Sequence, residues 1–336
     1  VPYRAAILAE STSDATETLR ALAAGQTALA VVEGTAAPAG QHALVFAGQG
    51  TQWVGMGAEL WDTSPVFAER MTACEHALAP WVDWSLSEVI HSTDPAALDR
   101  VDVVQPVSFA VAVSLAALWQ ATGLRIDAVV GHSQGEIAAA HIAGALTLDD
   151  AARIVALRSH AIATHLSHHG GMLSAAASQE HIRDVLGSLS EPVGIAAVNS
   201  PTAVVLAGSG SALDAAEAVF AAEGTRVYRL AVDYASHTSH VDTIRDELGR
   251  ALDGIDSTTP TIPWLSTVNG EWITVPVGPD YWYDNLRQPV RFADAIAILS
   301  EEGFGVFLET SPHPVLTTAI DDILSTLTTT AATIGG

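Results

Sequence analysis

The chain has 336 residues, of which 49% are hydrophobic and 15% are charged. This length favours one large domain or a domain with an insertion, and this composition favours a large buried core over disorder. Acidic residues number 38 and basic residues 14, all of them arginine, which gives a formal net charge of −24. The absence of lysine excludes Schiff-base chemistry and a Walker-type phosphate loop, and the acidic balance argues against nucleic-acid binding.

The cysteine count and the apolar segments indicate the compartment. Cys74 is the one cysteine, so no disulfide can form within the chain, and we expect a reducing compartment. The charged N-terminus does not resemble a signal peptide. The most apolar stretch, residues 103–119, contains Gln105 and Pro106 and is predicted to be too short and too mixed to span a bilayer. We therefore expect a cytoplasmic protein without membrane contact. Because the first residue is Val1, we also expect the chain to be cut from a longer polypeptide.

Apolar runs separated by turn residues predict an alternation of strands and helices. Outside a central segment, the predicted strands cover 43–47, 126–130, 264–268 and 306–309. The predicted helices cover 12–24, 65–79, 107–122, 137–144, 149–167, 238–252, 292–301 and 315–324. This alternation indicates an α/β fold with a parallel sheet.

The central segment has shorter elements. Its predicted strands cover 172–177, 193–198, 203–207 and 226–231, and its predicted helices cover 179–189 and 211–223. This βαββαβ order is the ferredoxin-like plan. We therefore predict an α/β-hydrolase-like large subdomain with an inserted ferredoxin-like small subdomain and an active site in the cleft between them.

Linker compositions complete the predicted division of the chain. Residues 35–40 and the Thr-, Ala- and Gly-rich tail are typical of linkers. The predicted segments are a lead-in linker over 1–40, the large subdomain over 41–171 and 233–325, the small subdomain over 172–232 and a C-terminal linker over 326–336.

Residues 131–136 read Gly-His-Ser-Gln-Gly-Glu and stand between a predicted strand and a predicted helix. A serine is a weak nucleophile until a base removes its proton and donors stabilise the oxyanion. The two glycines allow a tight turn that lifts Ser133 above the sheet, and the N–H of Gln134 would point to where an oxyanion forms. The bare pattern occurs by chance, but the strand and helix around it favour a catalytic serine.

The general base should be one of 13 histidines. His132 adjoins the serine on a tight turn and is interpreted as a packed supporting residue. Three histidines within 165–169 could suggest a metal site, but no Cys, Asp or Glu accompanies them in that segment, so a solvated loop is the preferred interpretation. His237 and His240 follow the last strand of the small subdomain, and composition alone does not choose between them.

Several segments resemble the acyltransferase domains of modular type I polyketide synthases. The resemblance extends in order from about residue 43 to 320, and the lead-in resembles the end of the linker between a ketosynthase and its acyltransferase. The matching segments are Gly-Gln-Gly-Thr-Gln-Trp at 48–53, the serine motif at 131–136, Val-Asn-Ser-Pro at 198–201, Tyr-Ala-Ser-His at 234–237, Gln-Pro-Val-Arg-Phe at 288–292 and Ser-Pro-His-Pro-Val-Leu at 311–316. One departure is Ala47, where the family usually has proline.

The resemblance implies catalytic roles for three groups. Ser133 is implied to be the nucleophile, and His237 is implied to be its base, with backbone carbonyls near 285–288 orienting the imidazole in place of a buried Asp. The backbone N–H groups of Gln49 and Gln134 are implied to form the oxyanion hole.

The resemblance also implies the acyl group. Arg158 is implied to bind the free carboxylate of a malonyl-type substrate, which suits a planar, bidentate guanidinium. The segment 100–105 with Gln105, the residue Gln134, and Tyr234 with Ser236 match the methylmalonyl pattern, since malonyl-selective members carry His-Ala-Phe-His at 234–237. A serine at 236 leaves room for a C2 methyl group, and the pattern leaves ethylmalonyl open.

The implied reaction takes (2S)-methylmalonyl from its CoA thioester to the phosphopantetheine thiol of an acyl carrier protein by a ping-pong mechanism. CoA enters as a substrate, and no metal and no tightly bound cofactor are implied. A flanking ketosynthase in the parent polypeptide is the further expected partner. The alternatives are a serine hydrolase or thioesterase, against which Arg158 argues, and a silent scaffold domain, against which the intact Ser133 and His237 argue.

Overall fold

The computed structural model describes residues 3–26, 31–35, 40–327 and 331–335. The chain forms two compact units, Val1–Gly40 and Gln41–Gly336. Most of the linker expected over 35–40 and part of the linker expected over 326–336 lie outside the described residues.

The first unit is a small antiparallel pair of strands joined through a helix. Strand β1 (Tyr3–Ile7), helix α1 (Thr12–Ala23) and strand β2 (Val31–Thr35) follow one another, and β1 pairs with β2. Ser11 caps α1 by accepting a hydrogen bond from the backbone N–H of Asp14. The helix matches its prediction, whereas the two five-residue strands were not predicted from the sequence.

The second unit contains the remaining elements. In chain order these are β3 (Gln41–Phe46), α2 (Ala58–Thr63), α3 (Pro65–Leu78), α4 (Leu86–Ile90), a 3₁₀ helix (Pro95–Leu98), α5 (Val101–Ala121), β4 (Ala128–Gly131), α6 (Gly135–Ile142), α7 (Leu148–His165), β5 (Gly171–Ala175), α8 (Gln179–Ser188), β6 (Val193–Ser200), β7 (Ala203–Gly208), α9 (Gly210–Glu223), β8 (Val227–Arg229), a 3₁₀ helix (Ser239–Ile244), α10 (Arg245–Ala251), β9 (Trp264–Leu265), α11 (Pro279–Arg287), α12 (Phe292–Glu301), β10 (Phe304–Glu309), α13 (Thr317–Thr326) and β11 (Ala332–Gly335).

A parallel sheet forms the centre of the large subdomain, in the order β11-β10-β3-β4-β9. Alternate side chains of β3 enter two different cores. Leu44 and Phe46 join the core built with α3, α5 and α7, whereas Ala43 and Val45 join the core built with α12 and α13. Because helices cover both faces of the sheet, its strands read as continuous apolar runs in the sequence.

The small subdomain is an antiparallel sheet in the order β6-β7-β5-β8, with α8 and α9 packed in its own apolar cluster. This is the arrangement of the ferredoxin-like plan, so the predicted fold class is confirmed. Strand β6 also forms hydrogen bonds with the large subdomain. The N–H of Val290 donates to the carbonyl of Ala196 at 2.8 Å, and the N–H of Val198 donates to the carbonyl of Val290 at 3.0 Å. These bonds join the sheet of the small subdomain to the large subdomain.

Helix α5 begins six positions before its prediction, with Pro106 inside its second turn. Its 21 residues make it long and apolar enough to cross a membrane, and 78% of its most apolar window is buried inside the protein. The expectation that this stretch is too short and too mixed to span a bilayer was therefore wrong about both its length and its composition. The burial identifies α5 as a core helix.

Three other segments differ from their predictions. The helix predicted over 238–252 begins as a 3₁₀ helix and becomes α-helical only at Arg245. The strand predicted over 264–268 is two residues long. In the tail that was predicted to be a linker, Ala332–Gly335 adds a parallel strand to β10. The hydrogen bonds of this strand come from a distant segment, which the composition of the tail could not reveal.

Candidate active site

The cleft between the two sheets holds a cavity of about 390 Å³. That size suits a small-molecule site. All eight side chains that the sequence proposed for the site line it, namely Gln49, Gln105, Ser133, Gln134, Arg158, Tyr234, Ser236 and His237. The small subdomain adds a mostly apolar wall that includes Met172, Ala197 and Val205.

Ser133 stands on a tight turn between β4 and α6, with a φ of 53°. Such a left-handed conformation is uncommon for a residue with a side chain. A Cβ on Gly131 would lie 2.3 Å from the backbone of Glu136, and a Cβ on Gly135 would lie 2.3 Å from the carbonyl oxygen of Phe46. Both positions therefore require glycine, because the turn packs directly against the neighbouring strand and its own helix.

Ser133 and His237 form a hydrogen-bonded pair, with 2.9 Å between Oγ and Nε2. The other ring nitrogen, Nδ1, lies 2.7 Å from the carbonyl oxygen of Gln288, which can only accept. Nδ1 therefore carries the hydrogen, and Nε2 is free to accept the serine proton. The backbone N–H of His237 donates to the carbonyl of Leu286 at 2.9 Å. Both carbonyls lie within the 285–288 segment that the resemblance implied.

Burial, together with the positive charge of Arg158, lowers the pKa of His237 to about 3. The imidazole is therefore neutral near neutral pH, as a base that accepts a proton must be. His240, the alternative histidine, is not among the side chains that line the cavity within the described part of the chain.

Arg158 lies on α7 with only 1% of its surface exposed. Burial lowers its pKa to about 10, so the guanidinium stays charged near neutral pH. Within residues 3–26, 31–35, 40–327 and 331–335, its Nε and Nη1 atoms have no hydrogen-bond partner. A buried cation without a paired carboxylate is costly. The arrangement therefore suits an anionic group entering the cavity.

Three of the predicted side chains form one polar network. The hydroxyl of Tyr234 donates to Gln49 Oε1 at 2.8 Å, and Gln105 Nε2 donates to the Tyr234 oxygen at 3.2 Å. Burial raises the pKa of Tyr234 to about 12, so it acts as a neutral phenol. Ser236 lies beside this network, with its Oγ 3.5 Å from the sulfur of Met172.

Gln134 is the N-cap residue of helix α6 and is almost entirely buried. Its backbone N–H belongs to the first turn, where the helix dipole favours negative charge. Gln49 lies in the turn that follows β3, next to Gly48, whose Cβ would meet the carbonyl of His132 at 3.0 Å. The glycine thus allows the turn after β3 to approach the serine turn closely.

The other histidines lie outside the Ser–His pair. His132 lies against the ring of Phe292, and its Nε2 is 2.8 Å from Asn199 Oδ1, consistent with a packed supporting residue. His165 Nε2 lies 2.8 Å from a carboxylate oxygen of Glu247, and His168 Nδ1 lies 2.8 Å from a carboxylate oxygen of Asp233. Among the residues that the structure describes, no group of three or more His, Cys, Asp and Glu side chains could hold a metal ion.

Two buried polar side chains next to the site were not predicted to contribute. In the sequence, residue 285 was considered only for the backbone carbonyls of its segment, and Glu136 only as the last residue of the serine motif. Asn285 Nδ2 donates to the carbonyl of Ser133 at 3.1 Å and to a carboxylate oxygen of Glu136. The contact between 285 and 133 spans 152 positions of the chain, and no local pattern in the sequence could have shown it.

A serine on a strand–turn–helix elbow, paired with a neutral histidine, is typical of α/β enzymes that carry an acyl group on serine. The sequence profile of the acyl transferase domain family matches residues 43–336. The chain therefore belongs to this family, among the acyltransferase domains of modular polyketide synthases.

Individual relatives agree with this assignment. A pikromycin polyketide synthase component from Streptomyces venezuelae is 51% identical over 309 residues, which are 91% of this chain but only 8% of that protein. The crystal structure of the acyltransferase domain from module 8 of the salinomycin polyketide synthase has a TM-score of 0.94 and 45% identity, covering 99% of this chain and 79% of that one. The structure of the malonyl CoA–acyl carrier protein transacylase of Coxiella burnetii has a TM-score of 0.79 and 26% identity, and the match covers 88% of this chain and 93% of that chain.

Proposed function

We propose that this acyltransferase transfers a (2S)-methylmalonyl extender unit from CoA to the phosphopantetheine thiol of an acyl carrier protein during polyketide biosynthesis. The observation that carries the proposal is the presence, in one cavity, of the Ser133–His237 hydrogen bond and the buried guanidinium of Arg158, whose Nε and Nη1 have no partner among the residues that the structure describes. The first can form an acyl ester, and the second can bind the far carboxylate of a malonyl-type acyl group.

In the first half-reaction, Ser133 Oγ attacks the thioester carbonyl while its proton passes to His237 Nε2. The oxyanion receives hydrogen bonds from the backbone N–H groups of Gln49 and Gln134. When the tetrahedral intermediate collapses, the C–S bond breaks and the imidazolium returns its proton to the CoA sulfur. The carbonyl of Gln288 stabilises the imidazolium in place of a carboxylate, because it accepts the Nδ1 hydrogen throughout.

The second half-reaction reverses the first with another thiol. His237 takes the proton from the phosphopantetheine thiol, whose sulfur attacks the ester carbonyl, and returns that proton to Ser133 Oγ as the C–O bond breaks. Each step uses only side chains and backbone of this chain. The proposal therefore includes no metal and no tightly bound cofactor, and CoA takes part as a substrate.

The proposed selectivity for methylmalonyl depends on the part of the cavity wall that Gln49, Gln105, Tyr234 and Ser236 form. The hydrogen-bonded side chains of Tyr234, Gln49 and Gln105 line the cavity together with Ser236, whose Oγ lies 3.5 Å from the sulfur of Met172. The short side chain of serine takes up less of the cavity than a phenylalanine would. A C2 methyl group would fit there. One methylene in an apolar pocket is worth about 1–3 kcal/mol, so we expect preference over malonyl rather than its absolute rejection.

The proposed partners follow from the relatives. The pikromycin synthase component is many times longer than this chain. The name of the Coxiella burnetii enzyme gives an acyl carrier protein as its acyl acceptor. We propose an acyl carrier protein as acceptor and a ketosynthase as neighbour in a longer polypeptide. The single, buried cysteine, Cys74, supports a cytoplasmic location.

Intact-protein mass spectrometry tests the proposal. The protein is incubated with equal concentrations of malonyl-, methylmalonyl-, ethylmalonyl- and propionyl-CoA, in pairs, with and without a phosphopantetheinylated acyl carrier protein. We expect a methylmalonyl adduct on the wild type, none on Ser133→Ala, and transfer of the adduct to the carrier protein. Release of free acid at the same rate with and without carrier protein would instead indicate a hydrolase. A stable adduct on Ser133→Ala would exclude Ser133 as the nucleophile.

A further inference from the structure

A buried acid–amide pair lies directly behind the serine turn. Glu136 has no exposed surface and Asn285 only 2%. One carboxylate oxygen of Glu136 accepts from the backbone N–H of Thr267 at 2.7 Å, and the other accepts from Asn285 Nδ2 at 2.5 Å. Asn285 Nδ2 also donates to the carbonyl oxygen of Ser133 at 3.1 Å. Both groups that the Asn285 side chain contacts are acceptors, so its NH₂ group must face them.

The hydrogen bond to Ser133 also bears on the oxyanion hole. The carbonyl of Ser133 and the N–H of Gln134 belong to one planar peptide group and point in opposite directions. Holding the carbonyl against Asn285 therefore turns the N–H of Gln134 away from Asn285. Ser133 has the disfavoured φ of 53°, so this peptide needs outside contacts to keep its orientation.

The C-terminal end of helix α11, which carries Asn285, also forms hydrogen bonds with His237. The carbonyl of Leu286 accepts from the N–H of His237 at 2.9 Å, and the carbonyl of Gln288 accepts from its Nδ1 at 2.7 Å. Four consecutive positions, 285–288, thus contact both the serine turn and the imidazole. A displacement of this segment would change the distance between Ser133 Oγ and His237 Nε2 together with the direction of the Gln134 N–H.

We propose that Asn285 and Glu136 are positioning residues for the acyl-transfer reaction: Glu136 orients the amide of Asn285, and Asn285 sets the orientation of the Ser133–Gln134 peptide relative to His237. The inference rests on the proposed role of Ser133 and His237. Neither side chain lines the cavity. They act through the groups that do.

Above about pH 7 Glu136 is ionised, and in that form the chemistry of the pair explains why an acid is needed at 136. Two donors, the N–H of Thr267 and the NH₂ of Asn285, reach two different carboxylate oxygens. Glutamine offers only one oxygen, and its NH₂ group would face one of these donors. In Glu136→Gln the amide of Asn285 can resolve that clash by turning its oxygen toward the new NH₂ group. That rotation removes the donor from the carbonyl of Ser133, even though the size of residue 136 is unchanged.

Acylation kinetics with methylmalonyl-CoA test the proposal on the wild type, Asn285→Leu, Glu136→Gln and Leu299→Ala. Asn285→Leu removes the amide with little change of shape. Leu299 is fully buried in the core around α12, so Leu299→Ala serves as the control for lost stability. We expect kcat for formation of the Ser133 ester to fall between about tenfold and about a hundredfold in Asn285→Leu and Glu136→Gln. We expect KM to stay within about twofold and Leu299→Ala to keep its kcat despite a lower Tm.

The outcomes separate this inference from the function on which it rests. If the wild type forms no ester on Ser133, the proposed function fails, and this inference fails with it. If the wild type is acylated on Ser133 and both variants react at its rate, only the positioning role is wrong. A loss of kcat that follows Tm as it does in Leu299→Ala, or a change confined to KM, also overturns the positioning role. If Asn285→Leu fails to fold, the kcat of Glu136→Gln alone tests the positioning role.

Discussion

Ser133 and His237 lie 104 positions apart, yet both have left-handed backbone conformations, with φ of 53° and 60°, and their side chains meet at 2.9 Å. Neither is a glycine, so both conformations carry strain that the surroundings must offset. For Ser133 the offset comes from the glycines on either side of the turn and from Asn285. For His237 it comes from the carbonyls of Leu286 and Gln288. The pair is thus pre-organised by backbone contacts, without a buried acid on the histidine.

The first prediction separates the two histidines of the 234–240 segment. We expect His237→Ala to lower the rate of Ser133 acylation by at least about 10²-fold, because general-base catalysis typically contributes that much. His240→Ala is the matched control, since it removes the same side chain three positions away. Stopped-flow release of CoA thiol measures both rates. If His240→Ala were the inactive variant, the assignment of the base would be wrong.

The serine motif and the base differ in how well the sequence predicted them. The strand, the glycines at 131 and 135 and the helix are neighbours in the chain, so their pattern identifies the turn directly. The base is brought to Ser133 by a contact across 104 positions, and composition left His237 and His240 open. Resemblance to a family, and not residue chemistry, separated them.

Other features depended on contacts that the sequence does not encode locally. Asn285 reaches the carbonyl of Ser133 across 152 positions. Ala332–Gly335 becomes a strand because β10 offers it an unpaired edge, although its composition is typical of a linker. Conversely, the βαββαβ order of the small subdomain could be predicted, because each of its strands and helices is short, regular and bounded by turn residues.

The second prediction concerns the acyl carboxylate. Arg158→Ala should lose its preference for methylmalonyl over propionyl, because it removes a charge-assisted contact worth about 1.5–3 kcal/mol, or about ten- to a hundredfold in relative rate. Loading is measured by mass in a competition between the two CoA thioesters. Arg153→Ala is the control: Arg153 lies on the same helix, where it donates to the backbone carbonyls of Ala251 and Asp253. An unchanged ratio in Arg158→Ala would place the carboxylate elsewhere.

The third prediction concerns stability and pH. Burial raises the pKa of Glu136 from 4.5 to about 7. The folded state therefore holds this proton more tightly than the unfolded state, and the stabilising contribution present below pH 4.5 is lost as pH rises to about 7. Glu136→Gln cannot ionise. We expect its stability relative to the wild type to rise by about 3 kcal/mol between pH 4.5 and pH 8.

Chemical denaturation of both proteins at several pH values measures that difference. Both proteins contain the same buried histidines, so comparing them cancels the contribution of these histidines to the pH dependence of stability. His237, with its pKa lowered to about 3, would otherwise make stability increase as pH rises towards 6.5. A difference in unfolding free energy that does not change with pH would mean that Glu136 is ionised throughout the range. Its hydrogen bonds with Thr267 and Asn285 would then outweigh the cost of burial.

The last prediction concerns the width of the acyl pocket. In the double variant Tyr234→His, Ser236→Phe, a large ring replaces the serine that lies beside Met172, next to His237. Its bulk should disfavour a C2 methyl group, whereas malonyl still fits and still pairs with Arg158. We expect a shift towards malonyl of about ten- to a hundredfold rather than a clean inversion, because Gln134 and Gln105 continue to shape the pocket. Competition between equal concentrations of malonyl- and methylmalonyl-CoA, with the product read on a carrier protein by mass, measures the shift.

The two single variants separate bulk from hydrogen bonding in that result. Tyr234→His removes the hydroxyl that donates to Gln49 and accepts from Gln105, so we expect it mainly to lower turnover. Ser236→Phe keeps that network and adds only bulk, so it should carry most of the change in preference. The ring also crowds the base, and total turnover of the double variant should therefore fall. If Ser236→Phe kept both its rate and its preference for methylmalonyl, residue 236 would not limit the space at C2. The steric explanation of selectivity would then have to be abandoned in favour of the polar network.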